Sequence, residues 1–190
     1  QPGLNQWPSY GEDQHEKIFD AALAQVHFSG VARLVENENL RRLHSELFAA
    51  VLECIAAHGG DVVAMTGDAL LVMWGLHRGW GRQDPDKLKR DTLRACQCMV
   101  DLRARVIGAD AAKDAVWSGA HFETKCAVSA GPVSALWLGG HQRQRQVVLK
   151  GAALLTLRSA AAAAQHGQIA LSEEALALCE DGVRVEGERE

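Results

Sequence analysis

The sequence predicts an α+β domain in which helices pack on one mixed sheet. Segments with the 3.6-residue period of an amphipathic helix alternate along the chain with shorter segments of strand character. Pairs of strand segments joined by tight turns, which are typical of β-hairpins, interrupt this alternation. A chain of 190 residues suits one domain with a real core, and we expect that domain over residues 18–182.

Short outer segments flank the predicted domain. Residues 1–17 are polar and contain two prolines, so we expect a linker or peripheral arm there. Residues 183–190 are expected to form a tail or the start of a next segment. The first residue is Gln1 and not methionine, so we expect the chain to be a piece of a longer protein.

Composition excludes some classes of function. The chain is 47% apolar with a formal net charge of −4, which does not favour a nucleic-acid or membrane partner. No apolar run approaches the length of a membrane span, and we expect a cytoplasmic location. The five cysteines show neither CxxC pairs nor the linear spacing of zinc ligands, so buried, reduced thiols are expected.

The first part of the chain predicts a strand, a helix and a hairpin. Residues 18–28 are mostly apolar and indicate a first strand. Gly59-Gly60 would end the helix that follows. The apolar residues that recur at helical spacing in this helix are Leu43, Leu47, Val51 and Ile55. Two runs rich in β-forming residues, 61–65 and 70–74, then flank a four-residue turn and predict a β-hairpin.

The second half of the chain begins with a long helix. Asp84 and Pro85 have the character of an N-cap and a first helical residue. One face of that helix is marked by Leu88, Thr92, Cys96, Met99 and Val106. Residues 122–130 alternate as a strand does, Gly131-Pro132 is expected to break it, and residues 133–138 would form the other arm of a hairpin.

The closing elements are predicted to be a strand, a helix, a strand and a short helix. Residues 146–149 indicate a strand, and the alanine-rich residues 152–165 a helix that ends at His166-Gly167. Residues 168–171 indicate the last strand, and Ser172 is the expected N-cap of the last helix. The basic run 141–145 is interpreted as a solvated loop, since no aromatic residues interleave it.

Four stretches, read in order, resemble class III nucleotidyl cyclase domains, and most of all the soluble, bicarbonate-type adenylyl cyclases. They are VHFSGVARLVE (26–36), HGGDVVAMTGDALLVMW (58–74), KCAVSAGPVSALWLGG (125–140) and VLKGAALLTLRSAAAAAQHGQIALSEEAL (148–176). The second stretch, which matches the family's metal-binding hairpin, is the most specific. The resemblance implies a ferredoxin-like mixed and antiparallel sheet with helices packed on it.

The resemblance also implies a chemistry. In the family, two such domains pair head to tail and bind nucleotide at their interface. Two aspartates hold two ions, Mg²⁺ or Mn²⁺, and the 3′-hydroxyl of ATP attacks the α-phosphorus to give cyclic AMP and pyrophosphate. A second cyclase-type domain and ATP are therefore the implied partners. The family includes ciliary proteins, so a cilium or flagellum stays open as a location, although no residue argues for it.

Five positions carry the comparison with the family's active site. Asp68 matches the second metal aspartate, whereas His27 stands where the first aspartate is expected. Ala64 replaces a lysine and Leu155 an asparagine or aspartate, while Arg158 matches an arginine that faces phosphate. Three of them have a plainer alternative: a turn aspartate at Asp68, a half-buried strand histidine at His27, and a surface helix residue at Arg158.

Three functions stay open at this point. The lost polar groups favour a pseudoenzyme, a cyclase-homology domain used for assembly, regulation or sensing. The alternative is the metal-binding half of a heterodimeric adenylyl cyclase, and a third hypothesis is binding of nucleotide or a small anion without turnover. Four tryptophans (Trp74, Trp80, Trp117 and Trp137) are expected in the core or an interface, with Trp74 contributing to domain pairing.

Overall fold

The computed structural model describes residues 16–29, 38–75, 84–111, 123–139 and 145–184. Within these ranges, helices pack on both faces of one sheet. The strands are β1 (Glu16–Ser29), β2 (Asp61–Thr66), β3 (Ala69–Trp74), β4 (Glu123–Gly139), β5 (Arg145–Lys150) and β6 (Ile169–Leu171). The helices are α1 (Glu38–Ala57), α2 (Pro85–Ala111), α3 (Ala152–Ala163) and α4 (Glu173–Cys179).

The sheet is mixed, as the sequence predicts. Its order is β2-β3-β1-β4-β5, with every neighbouring pair antiparallel, while β6 runs parallel to β4. The long strand β4 pairs with β1 along its inner edge and with β6 and then β5 along its outer edge. The two long central strands therefore bring β2–β3 and the closing elements into one framework.

Alternate residues of the strands fill two separate cores. On one face, residues such as Val26, Phe28 and Trp74 pack with α1, α2 and α4. On the other face, Leu23 and Met73 pack with α3. Because side chains alternate along a strand, the odd-numbered residues of β1 and β3 face one side of the sheet and the even-numbered residues face the other.

Helix starts follow the predicted capping. The Asp84 carboxylate accepts a hydrogen bond from the backbone N–H of Asp86 at 3.2 Å, directly before α2. The Ser172 hydroxyl accepts one from the backbone N–H of Ala175 at 3.3 Å and caps α4. Both side chains satisfy N–H groups that have no partner inside their helix.

The predicted hairpin around Gly131-Pro132 is wrong, because β4 is one continuous strand that pairs with β1 through both residues. Gly131 has φ 141°, which a glycine adopts without a side-chain clash. Pro132 lies between the residues of β4 that pair with β6 and those that pair with β5. Its missing N–H therefore costs neither outer ladder a hydrogen bond, and the strand continues.

The alanine-rich helix is shorter than predicted. α3 ends at Ala163, because Ala164 has extended backbone with φ −64° and ψ 134°. The side chain of Gln168 accepts a hydrogen bond from the backbone N–H of Gln165 at 3.0 Å and holds the turn that follows. β6 begins at Ile169, one residue later than predicted.

Trp74 lies in the core and not at a domain surface. Its side chain is 1% exposed, and its Nε1 donates to the backbone carbonyl of His58 at 3.0 Å. The expectation that Trp74 contributes to domain pairing is therefore wrong. The side chains of Trp80, Trp117 and Trp137, and residues 141–144, lie outside the described part of the chain.

Two further observations bear on the compositional predictions. All five cysteines are buried and none forms a disulfide, which confirms the expected thiols. Among the helices that the structure describes, none combines the length and apolar character needed to cross a membrane.

Candidate functional site

The β2–β3 hairpin presents Asp68 at its tip. Thr66 pairs with Ala69, so Gly67 and Asp68 form a two-residue turn. Gly67 has φ 59°, in the left-handed region that favours glycine. The Asp68 side chain is 61% exposed, and its carboxylate can therefore reach a ligand or a solvated ion.

Strand β1 brings His27 to the same place. β1 runs antiparallel to β3 with His27 opposite Ala69, and the N–H of Phe28 donates to the carbonyl of Asp68 at 2.9 Å. The Nδ1 atom of His27 lies 3.9 Å from Oδ1 of Asp68. The two residues that match the family's metal positions are thus neighbours, and the His27 side chain is half-buried, at 27% exposure.

A hydrogen bond from Gln25 orients the His27 ring. The amide nitrogen of Gln25 lies 2.8 Å from Nε2 of His27. An amide nitrogen donates, so Nε2 accepts and a neutral ring carries its proton on Nδ1, on the side of Asp68. The lone pair that could bind a metal is therefore engaged by Gln25, and an N–H faces the carboxylate instead.

This pair does not fit the two-ion magnesium site that the resemblance implies. Mg²⁺ requires oxygen ligands in near-octahedral geometry, and it is usually held through carboxylates. His27 and Asp68 offer one carboxylate and one N–H. The pair therefore provides one carboxylate, whereas the family's two-ion site uses two.

Helix α3 carries two further positions matched to the family. Leu155 and Arg158 are three residues apart and exposed on the same side of the helix, with Leu155 69% exposed. Leu157, in contrast, is 1% exposed and anchors α3 to the sheet. Among the described residues, the Arg158 side chain makes no hydrogen bond or ion pair with His27 or Asp68.

Comparison with known proteins agrees with this architecture. No protein-family model matches the chain. The chain is similar to adenylate cyclase type 10 of Rattus norvegicus, with 27% identity over 175 residues that cover 86% of this chain. They cover 10% of that relative, so the chain spans about a tenth of the length of the curated relatives it matches.

Solved structures decide the fold. The guanylyl cyclase Cya2 superposes with a TM-score of 0.73 at 21% identity, covering 92% of this chain and 85% of that one. The chain has the fold of nucleotidyl cyclase domains. The adenylyl cyclase CyaB from P. aeruginosa gives a TM-score of 0.72 at 16% identity, covering 90% of this chain and 85% of that one. The resemblance seen in the four sequence stretches is confirmed.

Two neighbours of His27 were missed from the sequence. Gln25 precedes it on the same face of β1, and Lys125 lies opposite it on β4. Lys125 Nζ donates to the carbonyl of Ala161 in α3 at 3.3 Å. The alternation of side chains along a strand could have identified Gln25, because a residue two positions from His27 lies on the same face.

The hairpin is only partly covered on the face that carries His27. α3 packs on β4 and β1. On the same face of β2–β3, Ala64 is exposed and Leu71 is partly exposed. Ala64, the position matched to a lysine, therefore lies at the open side of the site.

Proposed function

We propose that this cyclase homology domain is catalytically impaired and acts in assembly or regulation within a larger protein, by pairing with a second cyclase-type domain. The observation that carries the proposal is His27 in the place of the first metal aspartate, 3.9 Å from Asp68. The fold is retained while the carboxylate pair is reduced to one.

A single exposed carboxylate is a weak anchor for Mg²⁺. Asp68 is 61% exposed, so water competes for the ion and screens its charge. Mg²⁺ gives up its hydration shell reluctantly and would gain only one anionic ligand here. The ion that would neutralise a bound triphosphate is therefore held poorly, and nucleotide affinity falls with it.

The pairing part of the proposal is supported by the open face of the hairpin. Ala64 is exposed and Leu71 is only partly buried, so the hairpin keeps some accessible apolar surface. In the family, the second domain packs where the nucleotide binds. A partner on this face would cover the apolar surface and contact α3 near Leu155, which is 69% exposed.

One set of observations favours the alternative, the metal-binding half of a heterodimeric adenylyl cyclase that converts ATP to cyclic AMP and pyrophosphate. Asp68 and Arg158 are both exposed, as residues that act with a partner domain would be. In that case the partner would have to supply the missing anionic ligand. His27 argues against it, because a working metal half is expected to hold two carboxylates.

The proposal predicts that the purified chain binds magnesium-ATP with no micromolar affinity in titration calorimetry. The reason is the lost carboxylate, which leaves the ion with too few anionic oxygens. An Asp68→Ala variant is the matched control and should give the same weak signal. Micromolar binding that Asp68→Ala abolishes would contradict the proposal and favour the cyclase half. Micromolar binding that survives in Asp68→Ala would instead indicate nucleotide binding without the metal site, and would equally overturn this prediction.

A further inference from the structure

Two cysteines and a histidine converge between α1 and α2, away from the His27–Asp68 pair. Cys54 and His58 lie four residues apart at the end of α1, and Cys98 faces them from α2. Both Sγ atoms and a ring nitrogen of His58 lie within 4.8 Å of one another. Cys54 and Cys98 are 44 residues apart in sequence, so linear spacing could not reveal the group.

The two thiols have only weak partners in this position. Cys54 and Cys98 are each 0% exposed, and each Sγ lies 4.0 Å from the backbone carbonyl oxygen of the other. Burial raises the pKa of both thiols, since the charged form loses its hydration. A cation bound between them would displace both protons and compensate the thiolates in the low-dielectric interior.

His58 is oriented as metal-binding histidines are. Its Nδ1 lies 2.9 Å from the backbone carbonyl of Cys54, an acceptor, so Nδ1 carries a proton and donates it. Nε2 faces the Asp101 carboxylate, an acceptor, at 3.0 Å, so a metal ion would take the place of a ring proton when it binds. A hydrogen bond from the other ring nitrogen to a carbonyl fixes the tautomer and the ring direction of a ligating histidine.

Asp101 approaches His58 from α2. Its Oδ2 lies 3.0 Å from Nε2 of His58, a hydrogen-bonding distance that holds the ring in place. Asp101 lies outside the group of mutually close ligand atoms, so its part is to position His58. The His58 and Asp101 side chains are 19% and 41% exposed, so an ion could enter from the solvent side and reach the buried sulfurs.

We propose that Cys54, His58 and Cys98 bind one Zn²⁺, with a water molecule in the fourth position. Two thiolates and an imidazole suit a tetrahedral, thiophilic ion and exclude Mg²⁺, which prefers oxygen. The site joins the end of α1 to α2. Trp74 holds the same turn, because its Nε1 donates to the carbonyl of His58. The ion therefore has a structural role, apart from the cyclase site.

The test is zinc binding by the reduced, purified chain, measured by competition with a chromophoric chelator. We expect one Zn²⁺ per chain, with affinity about 100-fold lower in Cys54→Ser and in Cys98→Ser. Cys126→Ser is the matched control, because Cys126 is also a buried core cysteine but lies outside the group. Unchanged affinity in both serine variants of the group would overturn the proposal.

A second measurement does not depend on the variants folding. Co²⁺ in place of Zn²⁺ gives a near-ultraviolet charge-transfer band only when thiolates ligate it. The wild-type chain should show this band, with an intensity that indicates two thiolates, and zinc should abolish it. Saturating Co²⁺ without such a band would contradict the site even if zinc bound elsewhere.

Discussion

Replacing His27 by aspartate should strengthen Mn²⁺ binding to the chain by about 10- to 100-fold, because affinity rises with the number of anionic ligands. The new carboxylate would stand on β1 beside the turn that carries Asp68, where Nδ1 of His27 now lies 3.9 Å from Oδ1. It would also release the hydrogen bond with Gln25, which at present engages the ring's lone pair. Paramagnetic relaxation or calorimetry with Mn²⁺ measures the change directly.

Two further variants separate charge from shape in this experiment. His27→Asn adds an oxygen without a charge and should give much less than His27→Asp. The double variant His27→Asp/Asp68→Ala should lose the gain, since two residues that share an ion are coupled. A gain that persists without Asp68 would mean that the two positions do not form one site.

Replacing Gly151 by alanine should lower the free energy of unfolding by about 3 kcal/mol. Gly151 has φ 138° and ψ 170°, a conformation adopted almost only by glycine. An added Cβ would also lie 2.6 Å from the carbonyl oxygen of Pro132, in the backbone of β4. Gly151 lies at the junction of β5 and α3, so the strain would also weaken the packing of α3 on the sheet.

Gly167→Ala is the control for that variant. Gly167 also has a positive φ, of 76°, but its added Cβ would meet nothing within 4 Å. It should cost about 1–2 kcal/mol, the penalty of the left-handed backbone alone. Urea denaturation of both variants measures the difference, and equal losses would show that the contact with Pro132 relaxes freely.

Local patterns in the sequence predict most of the fold, because they report which elements form. The hairpin around Gly67-Asp68 and the helix that contains Leu47 and Val51 form as predicted. Their apolar residues recur at the spacing of a buried face, and Leu47 and Val51 are buried. β4 was predicted as a hairpin because Gly131-Pro132 has turn chemistry. Pairing with β1 overrides that local preference, and long-range pairing of this kind leaves no local signal.

The candidate site was predictable only in part. His27 and Asp68 were selected through the family resemblance, and the antiparallel pairing of β1 with β3 brings them together. The role of Gln25 in orienting His27 depends on side-chain geometry, which periodicity does not contain. The contact between Cys54 and Cys98 was not predictable either. Linear zinc motifs describe ligands that are close in sequence, whereas these two cysteines lie on different helices.

We propose that this domain of cyclase fold lacks the metal site needed for turnover, and the most direct test is cyclic nucleotide production by the purified chain. ATP and GTP should each be assayed with Mg²⁺ and with Mn²⁺, in the wild type and in Asp68→Ala. Each lost electrostatic contact typically costs about 100- to 1,000-fold in rate. The resemblance matches both His27 and Leu155 to positions where the family has polar groups. We predict cyclic AMP and cyclic GMP at background, the same in both proteins. Turnover in the wild type that disappears in Asp68→Ala would contradict the account.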